Sequence, residues 1–207
     1  MYSTYFKPFP QFETERLILR KVKKSDARDL YEYCKSPVSA KFADWYPHED
    51  IGVTKQYISW LLAGVKKGQY MTWCIELKET GKVIGTCSFT AMDSNFKIAE
   101  IGYGILKEYW GRGFAAEAVS EIMEYGFCNI GLCRIYARIM KDNRASVHLA
   151  QRLGMECEGF MRKAVWCKEK AHDIYYYAIT DDEYKRKLEK EQKDGENSEF
   201  PSEPQHA

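Results

Sequence analysis

No apolar run in this 207-residue sequence reaches the roughly 18 residues that a membrane-spanning helix requires. The first residues lack the basic and then apolar layout of a secretory signal. An excess of one charge is also missing, since 31 Lys and Arg residues face 30 Asp and Glu residues and the formal net charge is +1. A chain whose positive and negative charges are nearly equal in number has no general electrostatic attraction for nucleic acid or for an anionic membrane. We therefore expect neither membrane association nor direct nucleic-acid binding.

Cysteine patterns that would build a disulfide framework or a zinc site are missing as well. The seven cysteines are odd in number, are scattered and include no C-x-x-C pair. They stand at positions 34, 74, 87, 128, 133, 157 and 167. Most lie in apolar periodic segments, which is typical of small core residues, and none has the flanking signature of a catalytic nucleophile. These features predict a reduced, cytoplasmic protein without a metal site.

Hydrophobic periodicity predicts a single α/β domain over residues 1–180. Strands are predicted over 13–22, 70–77, 83–91, 97–106, 133–139, 155–162 and 172–179, and helices over 25–35, 54–67, 114–128 and 143–153. Residues 38–51 are predicted to form a loop. This order of elements indicates a mixed sheet with helices on both faces. Bulky apolar residues thin out from residue 181, so residues 181–207 are expected to form a charged tail that begins as a helix and is disordered beyond about residue 192.

Two glycines stand between the strand predicted at 97–106 and the helix predicted at 114–128. Gly111 and Gly113 allow the backbone to approach a ligand closely, and the first turn of the helix leaves N–H groups free to donate to an anion. The helix dipole adds a partial positive charge at the same end. The arrangement predicts a pyrophosphate site, although an ordinary strand-to-helix turn would share these local features.

The segment Trp110-Gly111-Arg112-Gly113-Phe114-Ala115 resembles motif A of the GNAT superfamily of acetyl-CoA-dependent N-acyltransferases, Gln/Arg-x-x-Gly-x-Gly/Ala. A tryptophan replaces the Gln or Arg. This form, like the opening segment at 13–20, is similar to the RimJ/RimL branch, which acetylates ribosomal-protein N-termini. The resemblance covers roughly residues 13–180. It implies the GNAT fold with a mixed, mostly antiparallel central sheet, acetyl-CoA as cosubstrate and no metal.

In the branch that the segment resembles, backbone amides are the main phosphate ligands. The cofactor-binding residues implied for this segment are Gly111, Arg112, Gly113, Phe114 and Ala115. The resemblance leaves open whether the protein forms a homodimer.

Glu100 is a lone carboxylate in an otherwise apolar strand, and it shares a face with Gly102 and Gly104. Two residues without side chains beside a carboxylate suggest a space left for a ligand, but pairing of Glu100 with an Arg or Lys across the sheet would also explain it. In GNAT histone acetyltransferases the matching Ala-Glu-Ile strand supplies the general base, so the resemblance makes Glu100 the candidate base. It further implies that this strand splays from its neighbour at a bulge, where the backbone N–H of Gly104 or Ile105 binds the thioester carbonyl.

Asn143 and Ser146 open the helix predicted at 143–153 and resemble the family's Asn-x-x-Ser block. In the family the asparagine contacts the cofactor, and a serine at this place can hydrogen-bond the departing thiolate. Asn143 would also serve as a plain N-cap. Because a thiol titrates near 8.5, a hydrogen bond from Ser146 would help thiolate departure by about 10²- to 10⁴-fold at most.

Candidate acceptor amines differ in the free energy that their deprotonation costs at pH 7. An α-amine with a pKa of about 8 is roughly one-tenth neutral at pH 7, whereas a lysine amine with a pKa of about 10.4 is roughly 0.04% neutral. Deprotonation therefore costs about 1.4 kcal/mol for the α-amine and about 4–5 kcal/mol for the lysine amine. Some RimJ/RimL relatives carry a further Glu where this chain has residues 162–166 without a carboxylate. A single carboxylate as base therefore favours an α-amine.

The sequence thus predicts an N-acetyltransferase that moves acetyl from acetyl-CoA to a primary amine by direct attack, with a protein N-terminus as the preferred acceptor. A small amine, such as a polyamine or a drug, is the alternative within the same class. A non-catalytic acyl-CoA-binding or sensing module is the alternative outside it.

Aromatic residues gather in the predicted loop, at Phe42, Trp45, Tyr46 and His48. Such residues anchor ligands or cover a core, and both interpretations stay open. No second histidine or paired carboxylate accompanies His48, so a metal role is disfavoured. Asp173 and Tyr177 also match the RimJ/RimL pattern, as structural or acceptor-facing residues.

Overall fold

The computed structural model describes residues 7–93, 95 and 97–198. Strands are β1 (Phe12–Glu13), β2 (Leu17–Lys21), β3 (Met71–Leu77), β4 (Val83–Asp93), β5 (Ile98–Ile105), β6 (Arg134–Met140), β7 (Glu156–Cys167) and β8 (Lys170–Thr180). Helices are α1 (Ala27–Cys34), α2 (Pro37–Ala40), α3 (Ile51–Lys67), α4 (Phe114–Glu124), α5 (Arg144–Arg152) and α6 (Asp181–Ser198). Among these helices, none combines the length and the hydrophobicity that a membrane crossing requires.

The eight strands form one sheet in the order β1-β2-β3-β4-β5-β6-β8-β7. Every neighbouring pair is antiparallel except β5 and β6, so the predicted mixed, mostly antiparallel sheet is confirmed. The parallel pairing runs only from Ile98 opposite Arg134 to Glu100 opposite Tyr136, although both strands continue. Beyond Glu100 the two strands are therefore no longer paired, which leaves a split between their carboxyl ends.

A bulge does lie beside the split, but not at the expected strand position. The register between β4 and β5 shifts between Phe89 and Ala91, which places the extra residue, Thr90, on β4 opposite Glu100. Gly104 instead pairs regularly with Thr86. The expectation of a bulge near Gly104 was wrong, because a close packing contact, and not a bulge, explains the glycine there.

Helices cover both faces of the sheet, as predicted. On one face α1 and α3 pack through Leu30, Ile58 and Leu61 against a cluster that includes Cys74 and Val83. Neighbouring residues of β3 point to the opposite face. There they join the larger core, which is completed by α4.

Helix α2, most of which lies in the predicted loop at 38–51, and the true start of α3 at the end of that loop were missed. Ser36 caps α2 by accepting a hydrogen bond from the backbone N–H of Ser39, and Pro37 occupies the first helical position. Asp50 caps α3, accepting from the N–H groups of Gly52 at 2.5 Å and Val53 at 3.2 Å, so that helix begins at Ile51 and not at residue 54.

The last helix belongs to the packed part of the molecule. The ring of Tyr184 is 5% exposed and stacks on Phe127 with 4.7 Å between centroids. Glu183 accepts hydrogen bonds from the N–H and hydroxyl of Thr180 at 2.8 Å, which fixes the start of α6. Helix α6, whose start was predicted, continues to Ser198, so the disorder expected from about residue 192 is wrong up to that residue. The disorder expected for the rest of the tail falls on residues 199–207, outside the described residues.

Candidate active site

The glycine segment has the backbone geometry that an anion site needs. Gly111 and Gly113 adopt left-handed conformations, with φ of 72° and 82°, that disfavour residues with a side chain. Gly113 is the N-cap residue of α4 and has no side chain with which to cap it. The N–H groups of the first helical turn, around Phe114 and Ala115, are therefore left to an outside acceptor. The predicted phosphate-binding residues lie together here, and their role in binding stays a prediction.

Arg16, which directly precedes β2, braces this segment. One of its terminal nitrogens, Nη1, donates to the carbonyl of Arg112 at 2.9 Å, and the guanidinium lies 4.4 Å from the centre of the Phe114 ring. The other side of the guanidinium pairs with Glu117, with 2.7 Å from Nε to Oε2. These contacts of Arg16 were not predicted from the sequence, because residues 13–20 had been considered only for their similarity to the RimJ/RimL branch.

Glu117 completes the brace from the first turn of α4. It accepts from the Thr14 hydroxyl at 2.6 Å and from the backbone N–H of Arg16 at 2.8 Å. Burial alone would raise the pKa of Glu117, but the hydrogen bonds from Thr14 and Arg16 outweigh it and the pKa is lowered. The carboxylate therefore stays ionised near neutral pH and holds Arg16 against the loop.

Trp110, the departure from the family motif, ties the segment to β5. Its indole N–H donates to the carbonyl of Ile105 at 2.7 Å. The side chain thus links the last residue of the strand to the glycine turn. The indole therefore links β5 to the predicted phosphate-binding segment at the position where the general motif has Gln or Arg. The proposed thioester contact of the Gly104 or Ile105 N–H stays a prediction.

A cavity of about 590 Å³ adjoins the glycine segment and extends between α4, α5 and α6. It is lined by Arg16, Gly111, Arg112, Gly113, Ala116, Glu117, Ser120, Arg152, Leu153, Lys187 and Glu191. Four cationic side chains and two carboxylates leave a surplus of positive charge. The cavity therefore suits a multiply charged anion such as the nucleotide end of coenzyme A.

Glu100 lies where β5 and β6 are last paired, and an arginine holds it. Arg138 of β6 donates from Nε to Oε1 at 2.8 Å and from Nη2 to Oε2 at 3.0 Å. The Glu100 side chain is 12% exposed and that of Arg138 is 48% exposed. The cross-sheet pairing that competed with the catalytic interpretation is therefore present. The role of Glu100 as a base stays a prediction, to be tested against this structural role.

The glycines beside Glu100 are explained by packing. A Cβ on Gly104 would lie 2.0 Å from the hydroxyl oxygen of Tyr33, and a Cβ on Gly102 would lie 2.8 Å from Thr90. Burial raises the pKa of Tyr33, so its hydroxyl stays protonated. The space suggested for a ligand at Gly104 is thus occupied by α1 of the protein itself.

The two residues predicted at the start of α5 lie next to each other, and Ser146 contacts β5. Asn143 caps the helix, because its side-chain oxygen accepts from the backbone N–H of Ser146 at 3.3 Å. The Tyr103 hydroxyl of β5 donates to the carbonyl oxygen of Ser146 at 3.4 Å. Burial raises the pKa of Tyr103, which keeps this donor protonated. Tyr103, which was not among the predicted site residues, thus connects β5 to α5 where β5 and β6 separate.

Part of the aromatic loop packs on the core, whereas Tyr46 is 60% exposed and His48 also lines a cavity of about 690 Å³. Rings of Tyr33, Trp45, His48 and Tyr57 follow one another with centroids 5.5 to 5.7 Å apart. His48 is 9% exposed, and its Nδ1 lies 2.9 Å from the Thr54 hydroxyl. Burial lowers the pKa of His48, so the ring is neutral at pH 7. Within the described part of the chain, no group of three potential ligands could hold a metal ion.

Comparisons with known proteins agree with this geometry. The family model described as an acetyltransferase (GNAT) domain matches residues 16–156. An uncharacterized N-acetyltransferase, p20, of Bacillus licheniformis is 36% identical over 171 residues, covering 83% of this chain and 96% of the relative. Spermidine N(1)-acetyltransferase of Escherichia coli strain K12 is 30% identical over 79 residues, which cover 38% of this chain and 42% of that protein. The structure of RimL, a ribosomal L7/L12 alpha-N-protein acetyltransferase, superposes with a TM-score of 0.74 at 22% identity and covers 83% of this chain and 94% of that one.

Proposed function

Because this chain belongs to the GNAT acetyltransferase family and is an acetyl-CoA-dependent N-acetyltransferase, we propose that its acceptor is the α-amine of a protein N-terminus. The observation that carries this proposal is the charge balance of the sheet face around Glu100. Two carboxylates there have an arginine partner, since Glu100 pairs with Arg138 and Glu158 pairs with Arg134. A polyamine carries several positive charges and would be favoured by carboxylates without cationic partners, and neither Glu100 nor Glu158 is one.

Stacked aromatic rings on the same face also favour a peptide. Tyr136 and Tyr176 lie parallel, with centroids 5.0 Å apart and an angle of 11° between the rings, beside the Glu100–Arg138 pair. Such rings offer apolar contact area together with hydroxyl groups at their edges, which suits a short peptide segment. A peptide would then place its N-terminal amine near Glu100, at the split between β5 and β6.

The residues divide the work of the transfer. Acetyl-CoA supplies the acetyl thioester when it is bound. Backbone amides from Gly111 to Ala115 bind the pyrophosphate, and the N–H of Gly104 or Ile105 polarises the thioester carbonyl. Glu100, directly or through water, takes the proton from the attacking amine, and the Ser146 hydroxyl donates to the departing sulfur. With one carboxylate as base and no activated nucleophile, the site suits an α-amine best, because an α-amine costs the least free energy to deprotonate.

The acceptor is tested by turnover of acetyl-CoA with matched amines at pH 7. We expect a peptide with a free N-terminus to be acetylated on its α-amine at least about 100-fold faster than the same peptide with a blocked N-terminus and an internal lysine, given the difference in neutral fraction. Spermidine is the third substrate. Faster turnover of spermidine than of any free N-terminus would replace the proposal by the small-amine alternative, and no turnover with any amine would favour a binding module.

Ser146→Ala tests the leaving-group role. We expect kcat to fall by about 10²-fold with little change in the KM for acetyl-CoA, because the hydroxyl acts only as sulfur departs. The variant keeps the backbone contacts of Ser146 to Asn143 and Tyr103. Steady-state kinetics and single-turnover rates are the measurement. An unchanged rate of the chemical step would leave Ser146 as an ordinary residue of the first helical turn.

A further inference from the structure

The cavity beside the glycine segment holds more cations than the pyrophosphate site needs. Arg16 is committed to Glu117, and Arg112 belongs to the glycine turn itself. Arg152, from the last turn of α5, and Lys187, from α6, line the same cavity from other elements. They lie outside the segment to which phosphate binding was assigned. Lys187 also lies outside the part of the chain that the family model matches.

The position of Lys187 is built into the packing of the C-terminal helix. Its aliphatic stem crosses Gly154, where a Cβ would lie 2.9 Å from Lys187 Cδ. Gly154 has a φ of 86°, which also disfavours a side chain there. Tyr184, one turn earlier in α6, anchors the helix against Phe127. The stem of Lys187 therefore packs against Gly154. Its Nζ lies 3.1 Å from Oε1 of Glu191, which also lines the cavity.

Coenzyme A carries two separate anionic groups at its nucleotide end. The pyrophosphate is the group that the backbone amides of the glycine segment accommodate. The ribose 3′-phosphate is a monoester with a charge near −2 at neutral pH, and it needs cationic partners of its own. Arginine binds phosphate through paired N–H donors and lysine binds it as a point charge.

We propose that Lys187 and Arg152 bind the 3′-phosphate of coenzyme A, so that the C-terminal helix forms one wall of the cofactor site. The phosphate shares the Lys187 ammonium with Glu191, whose carboxylate also lines the cavity, as does Glu117. The surplus of two positive side-chain charges remains after both carboxylates are counted. This inference rests on acetyl-CoA as the acyl donor and is independent of which amine is the acceptor.

Calorimetric titration with coenzyme A and with dephospho-coenzyme A, which lacks the 3′-phosphate, tests the proposal on the full chain. For Lys187→Gln and Arg152→Gln we expect coenzyme A to bind about 10- to 100-fold more weakly, the usual value of one hydrogen bond to a charged group. The same variants should bind dephospho-coenzyme A as the wild-type protein does. The matched control is Lys185→Gln, because Lys185 lies on the same helix, pairs with Asp181 and Asp182, and does not line the cavity.

The comparison of the two ligands separates the outcomes. Equal weakening of both ligands by Lys187→Gln would overturn the proposal, as would unchanged binding of coenzyme A in both variants. A shift of the same size in Lys185→Gln would also overturn it, since general charge and not contact would then be responsible. Melting temperatures of the three variants identify any loss from unfolding. No acceptor amine is present in the titration, so an error in the proposed acceptor cannot alter the result.

Discussion

Gly113→Val is expected to weaken the binding of acetyl-CoA by at least about 100-fold, because it would disrupt at least two hydrogen bonds to a charged phosphate at about 1.5–3 kcal/mol each. Gly113 has a φ of 82°, and a Cβ there would lie 3.3 Å from a terminal nitrogen of Arg16. This left-handed conformation is unfavourable for a β-branched residue, so the turn must rearrange. The N–H groups at the start of α4 then turn away from the phosphate. Calorimetry with acetyl-CoA measures the loss.

The matched control is Gly131→Val. Gly131 also has a left-handed conformation, with a φ of 73°, but a Cβ there would meet no atom within 4 Å and the residue lies beyond the far end of α4. Both substitutions should lower the free energy of unfolding by about 1–2 kcal/mol through backbone strain. Only the change at Gly113 should weaken binding. Near wild-type affinity in folded Gly113→Val would remove the phosphate site from this segment.

Glu100→Gln is expected to lower kcat/KM by about 100-fold or more at pH 7, the usual contribution of a positioned general base. The deficit should shrink towards pH 9, where an α-amine with a pKa of about 8 is already about nine-tenths neutral. The glutamine keeps the shape of the side chain and accepts one hydrogen bond from Arg138, but it removes the basic carboxylate. The measurement is kcat/KM against pH for both proteins with a peptide acceptor, together with melting temperatures.

Glu158→Gln separates catalysis from the structural role of an ion pair. Glu158 accepts from Arg134 Nη1 at 2.7 Å and lies on the same sheet face, with a side chain that is 45% exposed. Each substitution breaks one arginine–carboxylate pair. For the exposed Glu158 pair, the free energy of unfolding is expected to fall by at most about 1 kcal/mol. If both variants had parallel pH profiles and similar activity losses, Glu100 would be holding the sheet together and the base would lie elsewhere.

The parts of the site that lie close together in sequence could be predicted, because their chemistry is local. The glycines at 111 and 113 and the start of α4 form one short segment, and the positive φ values agree with the expected turn. The brace could not be predicted, since the hydrogen bonds from Arg16 to Glu117 join residues 101 positions apart. An Arg or Lys paired with Glu100 was one of two explanations left open, and only the hydrogen bonds across the sheet identify the partner as Arg138.

The helical start of the C-terminal segment was predicted, but its packing against the core was not. The segment from residue 181 carries few large apolar residues, which is typical of a solvated tail. Two of them, Tyr184 and Leu188, stand four positions apart and therefore share a helix face. Tyr184 enters the core and Leu188 packs against it. A polar segment can thus dock through a narrow apolar stripe, and only its neighbours in space show that it lines a cavity.

The short junction between β5 and β6 has a consequence for the order of folding. Strands β1 to β5 follow one another across the sheet in chain order, and β6, β8 and β7 lie on the other side of the junction. The two sides meet only from Ile98 opposite Arg134 to Glu100 opposite Tyr136, which is three residues of each strand. By contrast, β4 pairs with β5 along all eight residues of β5, and β6 pairs with β8 along all seven residues of β6. Because the shortest of these three pairings is held by the fewest ladder hydrogen bonds, it is expected to form last and to open first. The split at which the predicted site lies would then be among the last features to form, and substitutions at the junction would chiefly speed unfolding.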